Sequence, residues 1–416
     1  MSLQGPLIVV ADQPATELVH TLSAAGAFPL VEANWADAPT AFVAVKPAAV
    51  VIAEPGPPKS ESSARMLCLQ IATASGPMVP VLALVQGDVE AAVPLALPIE
   101  AAAPSARVIA CLRWAMRVRA LHAAVLRRIG DFSAQGGKMP AMPSGDALDD
   151  ATVLIAGRGP LYPALSIAVG ERTNMVGGLS VEIAARHLTG RDINGIVVGD
   201  GFSPRMVEAF LTLLAEDARF HELPVAVIGD APREFAEVLP NLHHASADPV
   251  RLVARLMPLV RLHSFELRLK RMLKSLDAGG MVDPLTGLLT RDYFFRDLGK
   301  AVIEAGDRSQ PLSVARLSFE GAPSERALLD RARIAARFIR VTDFATIEND
   351  GVLLVAFTQT DLRSAHVVAR RIASGIRKAL AAPGLTANIT LATLKAGDTI
   401  DSLVVRVRGA KVVAAE

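Results

Sequence analysis

Short apolar runs alternate with helical periodicity through the first 130 positions. Leu7–Val10 has the pattern of a buried strand, and Glu17 to Ala25 repeats apolar residues at helical spacing. Ala48–Ala53 and Val79–Val85 are further strands, with helices predicted over Ser63–Ala74 and over about Ser105–Ile129. Continuous apolar strands separated by helices predict a parallel sheet covered on both faces. Residues 131–150 break the pattern with Gly, Pro, Ser and Met, a linker composition. The alternation then restarts: strand Thr152–Ala156, strand Gly195–Gly199, helix Pro204–Glu216, strand Pro224–Ile228 and a closing helix from Pro249 to Leu276. Equivalent strands and helices recur about 145 positions apart, a repeat at the scale of a domain.

A third pattern follows. Strand Leu312–Phe319, helix Glu325–Ile339, an acidic turn at Glu348–Gly351, strand Val352–Phe357, helix Leu362–Ala379, strand Ala387–Leu391 and helix Ile400–Val407 make a mixed α/β unit. The predicted organisation is therefore a domain over 1–130, a linker over 131–150, a second domain over 151–276 and a third over 277–416. The helix closing the second domain carries Arg251, Arg255, Arg261, Arg268 and Arg271 beside a leucine-rich face. It is expected to be a connector that pairs with its twin in a homodimer. His243 and His244 are expected in a loop.

Composition narrows the function classes. The 416 residues are 51% hydrophobic, so each domain can bury a core, and 43 Lys+Arg against 42 Asp+Glu give a net charge of +1. No basic excess advertises a DNA partner. Aromatic residues are only 4%, thin for a base-stacking platform. The two cysteines, Cys68 and Cys111, make no disulfide framework. No apolar run predicts a membrane span, and the N-terminal stretch lacks a basic n-region, so a cytoplasmic protein is expected.

Doubly wound sheets place working residues at the carboxyl ends of their strands. Carboxylates clustered there with a lysine would hold Mg²⁺ and receive a phosphoryl group. The first domain offers Asp12 alone, with Ala53 ending its central strand and Glu54 one step beyond. The second offers Asp200 after Gly199 and Asp230 after Gly229, and no lysine precedes Pro98 or Pro249. Phosphoryl acceptance is expected of neither, and Asp200 reads as a solvated turn carboxylate.

These two patterns resemble response-regulator receiver domains, both degenerate. The third segment opens with Asp283-Pro-Leu-Thr-Gly-Leu-Leu-Thr-Arg291 followed by Tyr293-Phe294. That stretch is similar to the opening of GGDEF (diguanylate cyclase) domains, with Thr290 where the family usually has Asn. Receiver–receiver–GGDEF is the order of the PleD-type response regulators, and the resemblance extends to the PopA-like effectors of bacterial cell-cycle control. It implies two tandem doubly wound domains followed by a nucleotidyl-cyclase-like α+β domain. At the family's metal and signature positions stand Ser318 and Asn349-Asp350-Gly351-Val352-Leu353. The nucleotide-contacting glycines and metal acids are thus replaced, so no metal and no enzyme activity are expected.

One family feature survives. Arg340-Val-Thr-Asp343 is an RxxD motif, with five residues between Asp343 and the altered signature. In the family this register marks an inhibitory site for c-di-GMP. The resemblance places a second arginine at Arg371, with Arg370 adjacent. An arginine can grip phosphate or a guanine edge through its fork of donors, and a carboxylate accepts from guanine N–H groups. The plain alternative is a surface ion pair at a helix end. The resemblance implies a non-catalytic c-di-GMP effector that docks protein partners through its receiver-like domains, and recruitment to a cell pole. A ligand-independent scaffold is the second reading. A cyclase using Asp350, Glu348 and Glu320 with metal is the third.

Overall fold

The computed structural model describes residues 3–53, 60–86, 96–134, 145–229, 235, 238–245, 247–320, 324–380 and 385–409. Glu54, Asp230 and residues 135–144 of the expected linker lie outside them. The first sheet contains β1 (Gln4–Val10), β2 (Phe28–Ala33), β3 (Ala49–Ile52), β4 (Val81–Val85) and β5 (Leu97–Glu100), all parallel, in the order β2-β1-β3-β4-β5. Every residue of β3 is buried, as a central strand flanked by helices requires. Its helices are α1 (Thr16–Ala24), α2 (Ala38–Val45), α3 (Glu61–Thr73) and α4 (Ser105–Ala134).

The second sheet repeats the plan. It holds β6 (Thr152–Ala156), β7 (Asn174–Gly178), β8 (Gly195–Val198), β9 (Val225–Ile228) and β10 (Leu242–Ala245), ordered β7-β6-β8-β9-β10. Its helices are α5 (Tyr162–Gly170), α6 (Val181–Gly190), α7 (Pro204–Glu216) and α8 (Pro249–Leu276). Ser60, Ser180, Ser203 and Asp248 cap α3, α6, α7 and α8 by accepting from first-turn amides. In the two parallel sheets the sequence pattern misses β2, β5, β7 and β10. All four are edge strands, half-exposed or bearing glycine or proline, so they carry no continuous apolar run. His243 and His244 lie on β10 and not in a loop. His243 is buried with neither ring nitrogen bonded, and desolvation pulls its pKa down to about 3, so the ring is neutral.

The two long helices meet each other. The first half of α8 covers the second sheet through Leu252, Leu256 and Val260. Its second half packs Leu262, Leu269, Met272, Leu273 and Leu276 onto Leu112, Met116, Val118 and Leu121 of α4. Trp114 Nε1 donates to Glu266 Oε2 across this seam at 2.9 Å. Within the chain, α8 thus packs against α4, its counterpart in the first domain. The basic residues are used locally: Arg261 binds Asp146, Arg268 binds Asp150, and Arg255 binds Glu100.

The third domain is an antiparallel sheet of β11 (Leu312–Phe319), β12 (Phe344–Ile347), β13 (Leu353–Thr358) and β14 (Ala387–Thr393), ordered β12-β13-β11-β14. Helices α9 (Arg291–Asp307) and α12 (Ile400–Val407) cover one face, while α10 (Glu325–Phe338) and α11 (Leu362–Ala379) cover the other. The Asp283 motif is a self-contained turn. Asp283 accepts from the Leu285 amide and the Thr286 hydroxyl, and Gly287 sits at φ +72. No helix among the described residues is long and apolar enough to cross a membrane.

Candidate ligand site at the RxxD turn

The RxxD spacing has a local cause. Arg340 O accepts from Asp343 N at 3.0 Å, so the four residues form one turn between α10 and β12. The first and last residues of such a turn stand close together. Arg340 is exposed and its side chain makes no hydrogen bond or ion pair among the described residues. Asp343 is only 7% exposed. Its Oδ1 accepts from the Thr358 amide at 3.1 Å, and Oδ2 makes no hydrogen bond to any described residue. Burial raises its pKa to about 7. That rise is opposed by Arg340, by the Thr358 hydrogen bonds and by Arg127 of α4.

Arg371 and Arg370 are both exposed on α11, about 100° apart around the helix axis. Gly375 lies against the Phe338 ring, where a Cβ would stand 2.4 Å from the ring carbons. Arg371 stands one helical turn before Gly375 on α11. Arg370 is off that stripe. Neither arginine has a partner among the described residues. The turn itself therefore pairs an exposed arginine with a buried carboxylate, and Arg371 stands on the neighbouring helix α11. The sequence reading missed Thr358 and Arg127. Nothing local marks Thr358. Arg127-Arg128 in an otherwise apolar helix stretch was the available signal for the other.

The altered signature folds into a tight turn. Gly351 has φ +82, and the Asp350 carboxylate is turned back onto the Val352 amide at 3.1 Å. Glu348 is taken by Arg408 at 2.9 Å, with Arg291 at 3.9 Å. Ser318 accepts from Arg316. Ser318, Gly351 and Val352 bring no carboxylate to the positions that the resemblance assigns to metal acids. No group of three His, Cys, Asp or Glu side chains converges among the described residues.

Asp200 in the second domain is built into its loop. Its backbone oxygen accepts from Arg158 and Gly159, its Oδ2 accepts from the Leu161 amide at 3.3 Å, and its carboxylate fills the space beside Gly159. It fastens the β6–α5 loop and is not the freely solvated turn residue expected.

No protein-family model matches the chain, and no curated protein does. Solved structures similar to part of it are GGDEF-domain proteins. The diguanylate cyclase SiaD of Pseudomonas aeruginosa, solved with its activator SiaC, is 22% identical with a TM-score of 0.30; the similarity covers 34% of this chain and 62% of that one. The coiled coil and GGDEF domain of DgcB from Caulobacter crescentus, solved with c-di-GMP, is 16% identical over 34% of this chain and 84% of that one, TM-score 0.29. A DGC protein from Thermotoga maritima is 19% identical over 31% of this chain and 98% of that one, TM-score 0.27. The fold is two doubly wound parallel-sheet domains followed by an α+β domain built on an antiparallel sheet. The expectation of a chain without enzyme activity is corrected by these findings, because the similar chains include diguanylate cyclases.

Proposed function

We propose that the chain is a c-di-GMP signalling protein that binds the dinucleotide at the RxxD turn through Arg340, Asp343 and Arg371, with Arg370 at the rim. One observation carries the reading: Asp343 is held buried, at a cost to its ionisation, with an acceptor oxygen left unmet beside an unpartnered arginine. A carboxylate kept in such a place without an ion-pair partner is a functional-site candidate. Its free oxygen would accept guanine N–H groups, and the arginines would grip phosphate or a guanine edge. The two parallel-sheet domains are read as receiver-like modules that dimerise or dock protein partners. The carboxyl end of β3 carries Ala53 in place of a phosphoryl acceptor, which favours that role over phosphorylation control.

Titration of the purified chain with c-di-GMP tests the reading. Saturable binding in the micromolar range or tighter is expected. Arg340→Ala and Arg371→Ala should each weaken it at least tenfold, since a charge-assisted contact contributes about 1.5–3 kcal/mol. Unchanged binding in Arg340→Ala would sink the assignment.

A further inference from the structure

Buried polar groups outside the RxxD turn gather where α4 of the first domain meets the third. Arg127 is 8% exposed. It donates from Nε to Asp297 Oδ1 at 2.9 Å and from a terminal nitrogen to Glu304 Oε2 at 2.9 Å, both on α9. Its neighbour Arg128 donates to the other oxygen of Asp297 at 3.2 Å and pairs with Asp277. Lys300 Nζ donates to Arg127 O at 3.0 Å. The guanidinium of Arg127 also stands 5.9 Å from the ring of Phe344, the residue next to Asp343.

A second path reaches the same carboxylate. A cavity of about 20 Å³ is lined by Arg127, Glu304, Gln310, Gln359 and Thr358. Thr358 is the residue whose amide holds Asp343 Oδ1. Arg127 thus stands against the Phe344 ring and lines the same cavity as Thr358, the two residues that flank Asp343 in the chain and in the sheet. Among the described residues, the charges of Arg340 on the turn itself and of Arg127 favour the ionised form of Asp343.

We propose that Arg127 is a positioning residue of the RxxD site, so that docking of the first domain onto α9 completes the c-di-GMP site of the third. This rests on the c-di-GMP reading above. Ligand binding and domain docking are then linked: each strengthens the other by the same factor.

The test uses the full chain with Arg127→Met, Arg127→Lys and the milder Glu304→Gln. Arg127→Met should weaken c-di-GMP binding roughly tenfold. Arg127→Lys, which keeps the positive charge beside Asp297, should recover most of it. Affinity should also fall on acidification as Asp343 takes up a proton, and in Arg127→Met that loss should begin at higher pH. A ligand-free arm measures amide exchange over residues 353–360 by mass spectrometry. The Thr358 amide should exchange faster in Arg127→Met, and less so in Glu304→Gln, while Arg340→Ala leaves it unchanged. A chain that binds no c-di-GMP would end the binding reading, and the exchange arm would still decide the coupling. Exchange at the wild-type rate in Arg127→Met overturns the proposal, as does tighter binding. If Arg127→Met fails to fold, Glu304→Gln decides by the same two readouts.

Discussion

Asp343→Asn isolates the cost of a buried charge at the RxxD turn. The amide oxygen of asparagine can still accept from Thr358 N, so the change removes charge and keeps the hydrogen bond. The pKa of Asp343 rises from the ordinary 3.8 to about 7 in the folded chain, chiefly through burial. At 1.36 kcal/mol per unit, its ionisation costs the folded state about 4 kcal/mol. The folded pKa lies above the unfolded one. The native state therefore holds the proton between about pH 4 and pH 7, and stability falls as pH rises through that window. The variant should match the wild type near pH 4 and exceed it by up to about 4 kcal/mol at pH 8. Three packed domains make global unfolding a poor two-state measure. The gain should be read from amide exchange of residues 344–358, compared between the two proteins at the same pH. A gap equal at both pH values would refute the reasoning. So would a variant that opens more readily than the wild type at pH 8.

Two further outcomes follow from the packing. Asp297→Ala leaves Arg127 and Arg128 buried without their shared carboxylate, a loss of about 3–5 kcal/mol. It should appear as faster exchange and proteolysis in the last turns of α4, and wild-type protection there would count against the clamp. Leu273→Ala opens a cavity between α4 and α8 and should cost about 2–5 kcal/mol. Chemical denaturation followed by Trp114 fluorescence reads it, and a midpoint within error of the wild type would show that the seam contributes little.

The enzyme question illustrates the reach of motif reading. Ser318, Gly351 and Val352 were visible in the sequence as departures from the family pattern. They led to the expectation of an inactive chain, and the similarity to diguanylate cyclases corrects it. Residue substitutions report what is missing from one arrangement of side chains.

Buried central strands, both long helices and the RxxD register were legible in the sequence. Their causes are local: apolar runs of strand length, 3.6-residue periodicity and the fixed spacing of a short motif. The edge strands β2, β5, β7 and β10 were not legible, because half-exposed strands lose the continuous apolar signal. Tertiary structure alone decided three matters. It set α8 against α4 in a seam within one chain. It buried Asp343 against Thr358, and it brought Arg127 from more than two hundred positions away to the edge of the RxxD turn. A sequence sets the type and spacing of its charged groups. Their desolvation and their distant neighbours arise only when the domains pack, and those determine what a carboxylate such as Asp343 can hold.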